Sequence, residues 1–324
     1  MAVNQTLPRV NPPPENKLHT QRKMPFLTKL WRDSPLLVMV APAVLILLLF
    51  TYIPLLGSVI AFMDYVPFLG FTGSEWVGWA NFSSLFSDTA FWNALWNTAQ
   101  ITLLQIVLFF PVPILLAVLL NTVAMPMAKR FVQSVIYLPH FLSWVIIVAL
   151  FQQVLGGNGV LNRFLLTHDM SPFEIMSNPD TFKLLLTTQA IWKDAGWGTI
   201  IFLAAIAAIN PGLYEAATID GAGAWQRFWH VTLPGMRPII VLMLILRLGD
   251  SLTVGFEQIL LQRDAVGPGA AEVLDTFTYF NGVVDGSWGT ATAAGLLKGV
   301  VSLLLVLAAN KLAHRLGEEG VYRR

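Results

Sequence analysis

Long apolar runs alternate with short polar segments along this chain of 324 residues. The first run, Pro35 to Met63, has 29 residues. A bilayer crossing needs about 20 apolar residues, so this run is long enough to span with tilt. Five more runs follow, at about Asn97–Val123, Phe131–Leu155, Lys183–Ile209, Pro238–Leu261 and Ala291–His314. The fifth is strongly apolar in its first half, "PIIVLMLIL", and mixed in its second, "RLGDSLTVGFEQILL". The pattern predicts an all-α integral membrane protein with six transmembrane helices. The expected organisation is a tail (1–34), a first transmembrane helix (35–63), a loop (64–90), a helical core (91–315) holding a polar loop at 210–237, and a second tail (316–324).

Composition supports this reading. Hydrophobic residues make up 55% of the chain and charged residues 12%, against about 25% charged in a soluble domain. The first run exceeds the roughly 7–15 residues of a signal-peptide core. The tail before it holds Pro12, Pro13 and Pro14 and a basic run, Lys17, Arg22, Lys23, Lys29 and Arg32, and is expected to be mostly disordered. A net charge of +1 gives no general attraction for nucleic acid. Without cysteine there is no disulfide framework or thiolate chemistry.

Lys and Arg set the orientation. They occur in the first tail, at Lys129 and Arg130, at Arg227 and Arg237, and at Lys311, Arg315, Arg323 and Arg324. These segments fall on one side, which is then cytoplasmic, and both termini are expected on that side. Residues 64–96 carry Asp64, Glu75 and Asp88, no Lys or Arg, and Trp76, Trp79, Trp92 and Trp96, as an outer interface would.

The polar segment "NPGLYEAATIDGAGAWQRFWHVTLPGMRP", Asn210 to Pro238, has its own pattern. Asn210 is a good N-cap and Pro211 a good first helical residue. Asp220-Gly221 is a stop signal. A short helix resumes at Ala224, with Trp225, Phe228 and Trp229 on one face. Pro234 and Pro238 are expected to break the chain and start the fifth span. An ordinary loop, a helix resting on lipid and a docking element for a partner all fit, although a sparse basic face weakens the lipid reading.

The segment resembles the EAA motif of permeases from binding-protein-dependent ABC importers: E-A-A, three residues, G, nine residues, I-x-L-P. Here Glu215, Ala216, Ala217, Gly221, Leu233 and Pro234 match, and Val231 replaces Ile. "KRFVQSVIYLPHFLSWVI", "VGFEQILL" and "ANKLAHRLGEEGVY" resemble the LplB-type permeases for complex oligosaccharides, relatives of the alginate-importer permeases. The resemblance implies a type I ABC importer permease (MetI-like) fold. It implies that Glu215, Ala216, Ala217, Asp220, Gly221, Trp225, Phe228, Leu233 and Pro234 form a coupling helix seated in an ATP-binding subunit. It also implies a second homologous permease, two ATP-binding subunits carrying ATP and Mg, and an extracytoplasmic solute-binding protein. The substrate would be an oligosaccharide or polysaccharide, acidic and alginate-like by best guess.

This chain has no P-loop and no H-E-x-x-H. Its five histidines are scattered, and no nucleophile–base arrangement stands out. A transport subunit with no cofactor of its own is therefore expected, not an enzyme. Interior ionisable residues are expensive in a membrane and mark pathways or pairs. Lys193 and Asp194, Arg247, Asp250 and Glu257, and Lys298 are such residues, accompanied by Gln189, Trp192, Ser251 and Gln258. Together they form a candidate substrate path, since sugars stack on aromatic faces and bond to polar side chains. Arg247 and Asp250, three apart, could instead simply pair. Lys298 has no partner within one turn and must reach another span, a subunit or a water-filled cavity. His140, after Pro139, is expected to be structural or interfacial. Gly249 and Gly255 would permit a broken span lining a cavity. An ion-coupled secondary transporter is the alternative; no internal repeat supports it. A receptor or membrane anchor without transport function would not need the clustered charges.

Overall fold

A computed structural model describes residues 33–315, 317–318 and 320–322. The N-terminal tail, apart from Asp33 and Ser34, lies outside the described residues, as do 316, 319, 323 and 324. The chain divides into two units, 1–57 and 58–324, with the boundary inside the first apolar run.

The described part of the first unit is helical. Helix α1 starts at Ser34, and the helical run continues to Phe62. It is apolar all round, the composition of a helix that meets lipid or another apolar surface on every side.

The second unit begins with a short antiparallel pair, β1 (Met63–Asp64) with β2 (Glu75–Trp76). The Asn81 side chain donates to Ala61 O (3.0 Å) and Met63 O (2.9 Å), which ties helix α2 (Ala80–Ser87) to that hairpin. Then come α3 (Thr89–Thr122), α4 (Pro126–Tyr137), α5 (Trp144–Leu155), α6 (Val160–Thr167) and α7 (Pro179–Ala207). The chain continues through α8 (Pro211–Ile219), α9 (Ala224–Gly249), α10 (Phe256–Leu260), α11 (Leu274–Tyr279) and α12 (Trp288–Arg315). Six helical runs are long and apolar enough to cross a membrane: α1, α3, α5 with α6, α7, α9 and α12. Helix α7 is the hub, packing against α3, α4 and α9. One apolar cluster joins Phe82, Phe91, Leu274, Phe277, Ala293 and Ala294. A second joins Ala117, Phe202, Ile206 and Met236.

Several expected ends move, each for a local reason. The second span starts at Thr89, not Asn97, because the Asp88 carboxylate caps it by accepting from Ala90 N at 2.8 Å. The third run does not form one helix. Pro139 enforces a tight turn over Leu138–Phe141, and Ser143 then caps a fresh helix, α5. The fourth span starts four residues early at Pro179, behind the Asn178 cap. The sixth gains a few residues at its start.

The fifth span departs most. It was expected from Pro238 to Leu261, yet the helix begins at Ala224 and ends at Gly249. Pro234 and Pro238 neither start nor break it. Three prolines in this chain, Pro54, Pro111 and Pro234, each sit two residues after a π turn, at Leu48–Tyr52, Gln105–Phe109 and Phe228–Thr232. The residue before each proline donates five residues back: Ile53 to Leu48 O, Phe110 to Gln105 O, Leu233 to Phe228 O. A proline ring collides with the carbonyl four residues back. The extra residue in the turn moves that carbonyl aside, so the helix continues.

Beyond Gly249 the chain turns. Asp250 leaves helical geometry, Gly255 adopts φ +88°, and short helices follow up to α12. Leu252, Val254, Ile259, Val273 and Phe277 of this segment are buried. Irregular backbone at such depth is tolerable because protein, not lipid, surrounds it.

Candidate functional site

Helix α8 and the start of α9 form an exposed helix–turn–helix. Asn210 caps α8 by accepting from Gly212 N at 2.9 Å. Gly221 ends it with φ +77°. Ala222 N donates to Ala217 O (2.9 Å) and Gly221 N to Thr218 O (3.1 Å), the paired bonds of a glycine C-cap. Two side-chain contacts fix the helices to each other: Tyr214 Oη with Thr232 Oγ1 at 3.0 Å, and Arg227 Nη1 to Thr218 Oγ1 at 3.3 Å. Trp225, Phe228 and Trp229 form one aromatic cluster, with ring centroids 5.3–5.7 Å apart. Trp225 remains 70% exposed, a large apolar area that its two aromatic neighbours leave open among the described residues.

Glu215, Ala216, Asp220 and Gly221 are exposed. Ala217, Asp220, Gly221, Arg227 and His230 line a hollow of about 340 Å³ between the helices. Leu233 and Pro234 follow the π turn, inside α9. The motif is therefore continuous with a membrane helix. At the other flank, Gly235 lets α9 approach the end of α7: a Cβ there would lie 2.7 Å from Ile209 Cδ1. A push on this segment would reach α9 and α7 without an intervening flexible loop.

The interior polar residues fall into separate groups. Gln189 is fully buried and engages Gln258 and Gln262. Gln258 Nε2 and Gln262 Nε2 donate to Gln189 Oε1 (2.7 and 3.0 Å), and Gln189 Nε2 donates to Gln262 Oε1 (3.1 Å). Lys193 Nζ donates to His140 O (2.8 Å) and Leu142 O (2.6 Å). Its neighbour Asp194 accepts from His140 Nδ1 at 2.8 Å, and the His140 ring stacks on Trp197 at 4.5 Å. These adjacent residues thus hold one segment, the tight turn between α4 and α5. Its carbonyls need donors because Pro139 interrupts the helix. Trp192 is half-exposed and meets Phe151 edge-to-face at 6.0 Å.

Arg247 donates to Gln105 Oε1 and lies over the Phe109 ring at 5.5 Å. It forms no ion pair with Asp250: the helix ends at Gly249, so Asp250 is not presented one turn along the same face. Asp250 and Glu257 are exposed. Ser251 is buried, and its carbonyl accepts from Thr102 Oγ1. Lys298 finds its partner across the fold in Asp275 of α11, 23 residues earlier. Sequence reasoning missed Gln105, Gln262 and Asp275. Each pairs with a residue far along the chain, so no local spacing could reveal it. Among the described residues no group of His, Asp or Glu could hold a metal ion.

The fold and this segment define a polytopic membrane protein whose exposed helix–turn–helix runs directly into a membrane-length helix. Residues 109–318 match the family described as binding-protein-dependent transport system inner membrane component, and the chain belongs to that family. It is 45% identical over 303 residues to the polygalacturonan/rhamnogalacturonan transport system permease protein YteP of Bacillus subtilis, covering 93% of this chain and 94% of that one. It is 40% identical over 298 residues to protein LplB of the same organism, covering 92% and 94%. A chain in the crystal structure of the bacterial alginate ABC transporter, in complex with alginate pentasaccharide-bound periplasmic protein, superposes with a TM-score of 0.84. That chain is 36% identical, over 91% of this chain and 99% of its own. The six-helix fold is that of type I ABC importer permeases.

Proposed function

We propose that this chain is the permease subunit of an ABC importer for acidic oligosaccharides. The observation that carries the reading is the segment 210–237: an exposed motif with a solvent-facing aromatic cluster, continuous with α9 and packed on the end of α7. Such an element can transmit motion as a rigid body between two states. The motif seats in an ATP-binding subunit, and closure of two such subunits tilts α7 and α9, so that access alternates between the two sides. A second, homologous permease completes the passage, and a solute-binding protein delivers the sugar from outside. Both termini are cytoplasmic, following the distribution of Lys and Arg. Identity to a permease named for polygalacturonan and likeness to an alginate transporter support acidic sugars as the substrate class.

The interior contacts divide the candidate path. Gln189, Lys193 and Asp194 hold neighbouring backbone or side chains. Trp192, Arg247, Asp250 and Glu257, less enclosed, are the groups available to a passing sugar. The test is Gly221→Trp in the assembled importer. The variant inserts and assembles, hydrolyses ATP, and no longer couples hydrolysis to uptake. Normal uptake by that variant overturns the coupling role.

A further inference from the structure

At the far end of α7 from the EAA segment lies a cleft of about 680 Å³. Helix α7 has 29 residues, or about 43 Å at 1.5 Å per residue, so the two sites are well separated. The volume lies within the roughly 300–1,000 Å³ typical of small-molecule sites. Its polar lining comes from Gln152, Gln153, Asn158, Arg163, Ser177 and Gln262. No carboxylate lines it. Among the described residues the Arg163 guanidinium takes part in no ion pair or side-chain hydrogen bond. A guanidinium without a counter-ion, among neutral amides and a hydroxyl, suits an anion that also carries hydroxyl groups.

The cleft is also held in shape. Asn162, beside Arg163 and fully buried, ties the lining residue Gly156 to the segment that leads to Ser177. Its Nδ2 donates to Gly156 O (2.9 Å) and Phe173 O (3.1 Å), and its Oδ1 accepts from Phe173 N (2.6 Å). The turn at 156–159 is tight: a Cβ on Gly159 would lie 2.7 Å from Val154 O. The floor is Gln262, fixed by its two bonds with Gln189. A preformed site of this kind loses little on ordering when a ligand binds.

We propose that this cleft is a subsite for one uronate unit of an oligosaccharide, with Arg163 receiving the carboxylate and the amides and Ser177 receiving hydroxyls. The proposal rests on the sugar-importer reading above and adds to it a place and a charge preference. On that orientation the cleft faces outward, where sugar leaves the binding protein. Because Gln262 reaches α7 through Gln189, occupancy is felt by the helix whose other end carries the coupling segment.

The test uses the complete purified importer, without binding protein, in equilibrium dialysis. The probes are labelled trigalacturonate and its carboxyl-reduced, neutral counterpart. The wild type binds the acid about tenfold or more tightly than the neutral sugar, the scale of one charge-assisted hydrogen bond. Arg163→Gln abolishes that preference and leaves the neutral sugar unchanged, and Arg163→Lys retains part of it. An unchanged preference in Arg163→Gln, or equal weakening of both sugars, overturns the assignment. Displacement of both sugars by inorganic phosphate at equal strength marks a general anion site and overturns it too. Uptake by the wild-type importer with its binding protein separates the two levels. Import of trigalacturonate together with an unaffected Arg163→Gln removes only the cleft, whereas no import of any oligosaccharide removes the importer reading itself.

Discussion

At Gly196, α7 passes close against the backbone of α4. A Cβ built there lies 2.6 Å from the carbonyl carbon of Ile136, with that residue's oxygen nearer still. Ordinary contact begins at 3.4 Å, so for Gly196→Ala the carbonyl carbon alone must yield by about 0.8 Å, and its oxygen by more. The obstacle is backbone, and that backbone is tethered: Lys193 holds the carbonyls of His140 and Leu142, and Asp194 holds the His140 ring. Overpacking of this kind costs about 1–3 kcal/mol or more, partly offset by the gain of about 0.5–1 kcal/mol from replacing a helical glycine with alanine. A net loss of about 2 kcal/mol lowers the unfolding midpoint by roughly 5 °C. Gly299→Ala on α12 is the control, since nothing lies within 4 Å of its Cβ position. Thermal unfolding in one detergent, followed by near-ultraviolet dichroism, compares the two. A Gly196→Ala protein as stable as the wild type refutes the close approach of α4 and α7.

Other substitutions probe the buried polar groups. Lys193→Met keeps the stem but strands two carbonyls, and costs about 2–4 kcal/mol in detergent unfolding; an unchanged midpoint would count against the clamp. Gln189→Leu strands the amides of Gln258 and Gln262, costing about 1–3 kcal/mol, and replacing all three glutamines with leucine recovers most of it. A triple variant weaker than the single one speaks against the triad. Lys298→Met leaves Asp275 uncompensated and costs about 3–5 kcal/mol, whereas Lys298→Met with Asp275→Leu is close to neutral. Strict additivity in that double-mutant cycle means the two side chains do not interact.

Much of this protein is legible along the chain. The six apolar runs are long enough to cross a bilayer, and each overlaps one of the six membrane-length helical runs, though the third and fifth only in part. The EAA segment carries its caps locally. Asn210, Pro211 and Gly221 act within a turn of where they stand, so sequence alone locates α8 and its end. Apart from span ends moved by the Asp88 and Asn178 caps and by the turn after Gly249, what failed locally did so through proline. Pro139 was absorbed into a span that it divides, and Pro234 was given a break that a π turn removes. A proline's effect depends on whether the preceding turn can widen, and no single residue reports that.

Pairing was beyond the sequence altogether. Lys298 meets Asp275, Arg247 meets Gln105, and Gln189 gathers Gln258 and Gln262 across 69 and 73 residues. Periodicity reports which face of one helix a residue occupies, not which helix faces it. The sequence determined that this chain crosses a membrane six times and carries an exposed helix–turn–helix. Only the tertiary structure decided which buried polar groups are satisfied by one another, and that the exposed Arg163 stands at a cleft without a counter-ion. A hydrogen bond is made between positions in space, and spatial neighbours are fixed by how the helices pack.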